Sequence, residues 1–241
     1  MKSNMKAVIL AGGLGKRLEP FTKIIPKPLL PLGEKTILEV IVQRLKMFGV
    51  NEVIIATNYK SGLFEKYFGY ISQSGLKLTF SKELEPLGTA GPIKLVAKLL
   101  TEPFIVMNGD ILTTIDFDKM KKLHKEKKAK ITVATKEVQV PFHYGIIESD
   151  DGVGISNIKE KPSLTVEINA GIYIVNPEVV KEIPDGFYQM TDLVKKLIAK
   201  KMNVVKYKID DYWLDIGQMH DYKKAQEDFG KIDFLSHDVK E

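Results

Sequence analysis

The sequence has no cysteine and a single tryptophan in 241 residues. Without thiols there can be no disulfides and no thiolate metal ligands. The four histidines, His124, His143, His220 and His237, nowhere pair at zinc-ligand spacing. No apolar run approaches the ~20 residues of a membrane span. The short apolar segment near the start runs straight into Gly12 and Gly13, which argues against a secretory signal. The expected compartment is the cytoplasm, with no membrane partner. Internal repeats and low-complexity linkers are missing as well. The net charge is only +5, and much of the basic excess sits in Lys119 to Lys130. That run has neither interleaved aromatics nor a nucleic-acid-binding module. It reads as a solvated helix face, and no nucleic-acid partner is expected.

What is present suffices for a core. Hydrophobic residues make up 44% of the chain, and no break in composition divides it, so one α/β domain over 1–241 is expected. Apolar runs at 7–10, 52–57, 76–80 and 103–107 read as strands. Between them, helical periodicity covers 36–48, 62–70 and 93–100. Leu38, Ile41, Val42 and Leu45 make one apolar stripe, and Gly49 ends that helix. This alternation predicts a doubly wound, mostly parallel sheet. The second half is more irregular. Strands are expected at 131–135, 144–148, 168–175 and 204–209, a hairpin turn at Asp150-Asp151-Gly152, and helices at 190–201 and 218–228. This mixture suggests a β-rich lobe on the edge of the sheet.

The most informative stretch is Ala7 to Pro31. A strand ending at Leu10 breaks into Gly12-Gly13-Leu14-Gly15, then into Lys16, Arg17, Lys23 and Lys27. A glycine turn after a strand brings backbone N–H groups against phosphate oxygens. Gly12, Gly13 and Gly15 carry no Cβ to keep a polyphosphate away, and Arg17 and Lys27 can neutralise it. A P-loop is excluded, because Arg17 stands where Ser or Thr is needed. A dinucleotide fingerprint is excluded by the missing third glycine. Ligands of open sheets bind beyond the carboxyl ends of strands. Asn108-Gly109-Asp110, after another strand, lies at such an end too.

The pattern G-G-x-G-x-R-L-x-P-x-T-x-x-x-P-K-P-x-x-P resembles the signature of sugar-1-phosphate nucleotidyltransferases, with Lys16 where Ser or Thr is frequent. The resemblance runs from about Lys6 to Phe229. It implies a Rossmann-like nucleotidyltransferase fold with a sugar-binding lobe. Many relatives continue into a left-handed β-helix; hexapeptide repeats are absent here, so a catalytic domain alone is expected. Taken alone, Asp110 reads as a turn aspartate and Asp215 of Trp213-Leu214-Asp215-Ile216-Gly217 as a helix N-cap. By resemblance they are the two ligands of Mg2+, with Trp213 packing beneath. The same resemblance assigns Arg17 and Lys27 to catalysis and Leu10, Gly12, Gly13 and Gly15 to the nucleotide.

Glu83, Pro86, Gly88 and Thr89 lie in E-P-L-G-T-A-G-P and its approach, which is close to the base loop of the family's guanylyltransferases, mannose-1-phosphate guanylyltransferases above all. Without the resemblance this is a loop with an N-cap at Thr89. Guanine's adjacent N1–H and N2–H suit a carboxylate at Glu83, whereas uracil and thymine suit the amide frequent in their transferases. Tyr144-Gly145, Glu160-Lys161-Pro162 and Asn169-Ala170-Gly171 resemble the sugar-phosphate motifs. They assign Gly145, Glu160, Lys161 and Asn169 to that substrate.

The resemblance thus implies GTP plus a sugar 1-phosphate, mannose 1-phosphate first, giving an NDP-sugar and pyrophosphate. UTP, dTTP or CTP with glucose, glucosamine or heptose 1-phosphate stand as alternatives. A non-catalytic subunit of the same fold is another, although Arg17, Lys27, Asp110, Lys161 and Asp215 are all kept. Asp116-Phe117-Asp118 matches the D-x-D of metal-dependent glycosyltransferases, but its place before a helix favours capping. Bare-domain relatives often dimerise, so a homodimer stands as an option, with no interface legible.

Overall fold

The computed structural model describes residues 5–58, 60–70 and 75–236. In chain order its main elements are β1 (Met5–Leu10), α1 (Ile37–Met47), β2 (Val50–Thr57), α2 (Ser61–Tyr70), β3 (Lys77–Lys82), α3 (Gly91–Leu95), β4 (Phe104–Asn108) and α4 (Phe117–Glu126). Then come β5 (Ile131–Pro141), β6 (Ser163–Val175), α5 (Met190–Ala199), β7 (Val204–Lys208) and α6 (Met219–Phe229). One seven-stranded sheet has the order β7-β5-β6-β4-β1-β2-β3. Only β6 runs against the others. The expected doubly wound, mostly parallel sheet is therefore present.

Strand side chains alternate between faces, and the central strands are apolar on both. Ala7, Ile9, Ile105, Met107, Ile172 and Ile174 face one layer, with α1, α2, α4 and α6. Val8, Phe104, Val106, Tyr173 and Val175 face the other, with α3 and α5. After β3 the chain returns to the opposite side of β1 as β4. This reversal opens a crevice at the carboxyl ends of β1 and β4, the usual ligand position in such sheets.

Local signals explain most boundaries. Thr36 and Glu39 form a reciprocal capping box on α1, and Tyr67 Oη donates to Glu39 Oε2 at 2.6 Å. Asp116 caps α4 by accepting from the backbone N–H groups of Asp118 and Lys119. The D-x-D is thus a helix start, as its position suggested. The expected helix over 93–100 starts earlier, at Gly91 with Pro92 in its first turn, and breaks at Val96 into a 3-10 turn. The N-cap at Thr89 is not found: α3 begins after Ala90, and the Thr89 side chain serves α5 instead. The strand expected from Tyr144 begins at Ile146. It pairs with Asn157–Lys159 across a loop longer than the expected hairpin turn. Asp151 holds that loop by accepting from Val153 and Gly154.

β5 and β6 are buried where they lie in the sheet and exposed beyond its carboxyl edge, where together they form the β-rich lobe. Their ladder is interrupted between Asn169 and Tyr173, where Gly171 adopts a left-handed φ of 70°. No helix among the described residues is long and apolar enough to cross a membrane.

Arg44 closes the α1 face. Its side chain is buried and donates to the carbonyls of Phe234, Ile115 and Thr114, tying the end of the chain to the loop after β4. Burial pulls its pKa down to about 10, opposed by the charges of Asp211, Asp116 and Asp233. Arg44→Ala strands these buried carbonyls and is expected to cost at least ~3 kcal/mol in urea unfolding. His124 is buried between Thr132 Oγ1 at 2.8 Å and Asn176 Oδ1 at 3.1 Å, and burial lowers its pKa. The unfolded chain therefore takes up a proton that the folded chain resists. Stability attached to this residue is full at neutral pH and is lost as pH falls through the unfolded value of 6.5. His124→Asn should flatten the slope of unfolding free energy between about pH 7 and pH 5.

Candidate active site

The crevice between β1 and β4 is a cleft of about 440 Å³. Its floor is the glycine loop. Ala11 N–H donates to Ala56 O, and Gly109 N–H donates to Leu10 O at 2.9 Å, so the ends of β2, β1 and β4 are tied together. At Gly15 the φ of 64° and the Thr22 side chain, 2.8 Å from where a Cβ would sit, admit only glycine. Thr22 Oγ1 donates to Gly15 O at 2.9 Å and fixes the turn. Arg17 follows in a 3-10 turn and reaches Gly217, its guanidinium nitrogens 3.6 Å from where a Cβ on that residue would lie.

Lys27 sits between Pro26 and Pro28 at the start of another 3-10 turn. It is only 8% exposed, and its ammonium pairs with Asp110 Oδ2 at 2.5 Å. A buried lysine needs such a partner, and the proline brackets hold it in place. Asp110 and Asp215 are brought together by a short antiparallel ladder. Trp213–Asp215 pairs with Ile111–Thr113 in the register Asp215↔Ile111, and Ile216 N–H donates to Asp110 O at 3.0 Å. Asp215 thus lies in a strand. The helix after it is capped by Gln218 with Asp221, so the reading of Asp215 as N-cap is not borne out. Trp213 Nε1 donates to Ala170 O at 2.9 Å and packs against the core below.

Asp215 is exposed at the border of the cleft, yet surrounding protein displaces part of the water around its carboxyl. That desolvation and then the Asp110 charge raise its pKa, while Lys27 and Arg17 pull it back. Two carboxylates held beside one another form a hard-oxygen pair of the kind that Mg2+ takes from proteins, the remaining ligands being water and phosphate. The donor set therefore fits that ion.

At the other end of the cleft, Glu83 is 5% exposed. Its Oε2 accepts from Leu87 N–H at 3.0 Å, and its Oε1 lies 2.6 Å from where a Cβ on Gly12 would be. Burial raises its pKa, against the Leu87 hydrogen bond that lowers it. Pro86, Gly88 and Thr89 line the same wall.

The residues assigned to the sugar lie apart from this lining. Gly145 and Glu160 adjoin, with Glu160 Oε2 3.0 Å from a Cβ placed on Gly145. Lys161 stands 3.9 Å from Glu160 and holds a strained left-handed φ of 43°. All three are exposed on the lobe beside the cleft. Asn169 donates to Tyr173 Oη at 2.7 Å and accepts from Gly171 N–H at 3.0 Å. Gly171 in turn packs on Asn108, which lines the cleft. Of the expected residues, Leu10, Gly12, Gly13, Gly15, Arg17, Lys27, Glu83, Pro86, Gly88, Thr89 and Asp110 line one cleft. Asp215 borders it, Gly145, Glu160 and Lys161 form a second cluster on the lobe, and Asn169 joins neither directly, its contacts being Tyr173 and Gly171.

Asn108 lines the cleft, as its place at a strand end suggested; sequence reasoning missed Phe187, Gln189 and Gly217 in the lining. Gly217 closes the motif that holds Asp215 and was within reach of it. Phe187 and Gln189 had no signal beyond Gly186.

The chain is 37% identical over 228 residues to a mannose-1-phosphate guanyltransferase from Yarrowia lipolytica, covering 90% of this chain and 62% of that one. It is 38% identical over 226 residues to the mannose-1-phosphate guanylyltransferase catalytic subunit beta of Danio rerio, with the same coverages. It thus spans less than two thirds of the length of these relatives. The structure superposes on HddC from Yersinia pseudotuberculosis with a TM-score of 0.75 and 30% identity, covering 93% of this chain and 99% of that one. It matches the HddC complex with GMP-PN at 29% identity and the same TM-score and coverage. A family model described as nucleotidyl transferase matches residues 6–231, which take in the glycine loop, both aspartates and the lobe. By sequence and by fold, this chain belongs to the nucleotidyl transferase family.

Proposed function

We propose that this domain transfers GMP from GTP to a sugar 1-phosphate, mannose 1-phosphate first, and releases pyrophosphate. The observation that carries this is the meeting of Asp110 and Asp215 opposite Arg17, beside the glycine loop. The names of the relatives and the GMP-PN bound to the HddC neighbour support guanine. So does the carboxylate of Glu83, buried beside Gly12, since a carboxylate suits the adjacent N1–H and N2–H of guanine.

In the proposed reaction an oxygen of the sugar phosphate attacks the α-phosphorus of GTP. A new P–O bond forms as the bond to the β-phosphate oxygen breaks, and pyrophosphate leaves in line. The attacking oxygen is already ionised near neutral pH, so no side chain need take its proton. The protein's task is positioning and charge stabilisation. Backbone groups from Leu10 to Gly15 cradle the phosphates. Arg17 stabilises the triphosphate and the departing pyrophosphate, and Lys27, steered by Asp110, holds the α-phosphate. Asp110 and Asp215 would hold Mg2+, which would supply positive charge to offset that of the phosphates. Gly145, Glu160, Lys161 and Asn169 present the sugar phosphate from the lobe, Lys161 taking its charge. The strained backbone at Lys161 supports a functional role there. We place the reaction in the cytoplasm, with a homodimer as the proposed assembly.

A pyrophosphate-release matrix of four NTPs against a panel of sugar 1-phosphates tests this directly. GTP with mannose 1-phosphate is expected to give the highest kcat/KM. Release from no pair at all would leave a binding module instead. Arg17→Ala and Asp110→Asn, the latter keeping an acceptor for Lys27, should each lower kcat by ~100-fold or more with Tm little changed. Full turnover in both would overturn the mechanism. Glu83→Gln should raise KM for GTP by ~10-fold or more and leave UTP nearly unaffected. Because burial raises the pKa of Glu83, the wild-type KM for GTP should climb on acidification at a higher pH than an ordinary glutamate would dictate. Equal losses for GTP and UTP would remove the base assignment.

A further inference from the structure

The segment between Gly186 and α5 forms one wall of the cleft, and nothing above gives it a role. It is strapped to the base loop by backbone bonds. Tyr188 N–H donates to Leu87 O at 2.9 Å, and Ala90 N–H donates to Tyr188 O at 2.9 Å. The two backbones are so close that a Cβ on Gly88 would lie 2.5 Å from Tyr188 O, and one on Gly91 would lie 2.7 Å from Gly186 O. Gln189 ends this strap at the N-cap of α5, but its side chain does not cap its own helix. Thr89 does so across the gap: its hydroxyl accepts from Met190 N–H at 2.8 Å and donates its one hydrogen to Gln189 Oε1 at 2.8 Å.

That donated hydrogen orients the amide. The oxygen of Gln189 faces Thr89, so the amide nitrogen, with two N–H groups, is the other end. Among the described residues none accepts from it. Both Thr89 and Gln189 line the cleft. An uncharged donor on a rigid strap matches a neutral oxygen acceptor; a phosphate would call for the cations on the opposite side.

The position of the strap selects the source of that oxygen. Glu83 follows β3, at one side of the cleft. The strap belongs to the layer of α3 and α5, which covers Val106 of β4 and Tyr173 of β6. Tyr173 is the residue to which Asn169 donates, and Gly171 between them abuts Asn108 in the cleft. The wall formed by Gln189 therefore leads from the base loop towards the lobe. We infer that the Gln189 amide is a specificity-determining donor that reads one ring hydroxyl of the sugar phosphate, with Thr89 as the residue that orients it.

This rests on the proposal that a sugar 1-phosphate is the second substrate. The test uses the full chain, GTP, and the sugar 1-phosphate selected by the release matrix together with its monodeoxy forms. Gln189→Met keeps the length and removes the donor. It should raise KM for the sugar phosphate about five- to tenfold and leave KM for GTP within about twofold. One deoxy sugar should be penalised about five- to tenfold by the wild type and not further penalised by the variant. Thr89→Val, which frees the amide while leaving it in place, should give a smaller loss against the same deoxy sugar. If every deoxy penalty is unchanged in both variants, or if the loss falls on GTP instead, the inference is overturned while the transferase reading stands. If the wild type releases pyrophosphate with no sugar 1-phosphate, both fall.

Discussion

Two negative side chains from distant parts of the chain are held next to each other, and the rest of the site is built around that conflict. Asp110 and Asp215 would repel if left alone; desolvation first and then the Asp110 charge push the pKa of Asp215 up. The protein offsets it with the buried Lys27 ammonium on Asp110 and the Arg17 guanidinium beside Gly217. On the proposed reading the remaining imbalance is resolved by a divalent ion and substrate phosphates. Each charge is useful because its neighbours are close, and each is held there by backbone. The ladder of Ile111–Thr113 with Trp213–Asp215 fixes the acids, and the proline brackets fix Lys27.

The sheet supplies that rigidity. Because β4 returns to the far side of β1, the glycine loop and Asp110 emerge from adjacent strands and share a hydrogen bond from Gly109 N–H to Leu10 O. Helix α6 then serves both halves. It follows Asp215 directly, and its Tyr222 and Gln226 donate to Pro31 O at 2.7 Å, at the end of the Lys27 loop. Acid and base are thus steadied by one helix.

Much of this was legible in the residues. The apolar runs of β1, β2 and β4 are buried on both faces and could hardly be read otherwise. The glycine loop announced itself by residue type and spacing after a strand, whereas Glu83 and both aspartates were singled out by the family resemblance; taken alone they read as loop, turn and helix cap. Less legible was whatever depends on partners distant in sequence. Thr89 precedes a helix and looks like its cap, yet its hydroxyl serves α5, a hundred residues later. Asp215 also stands before a helix, but pairing with Ile111 draws it into a ladder, and Gln218 takes the cap. Phe187 and Gln189 belong to an irregular segment whose course is set by contact with Leu87 and Gly91. No periodicity announces such a strap.

The one reversed strand has a consequence for how such proteins diversify. β6 is half interior and half outrigger, and the break at Gly171 separates the two lengths. Inboard of it, side chains are sealed between helices and bound to the stability of the whole. Outboard of it, β5 and β6 form a free-standing ribbon whose residues face solvent. The architecture therefore joins a fixed interior to an exposed attachment, and changes in that attachment should come at little cost to folding.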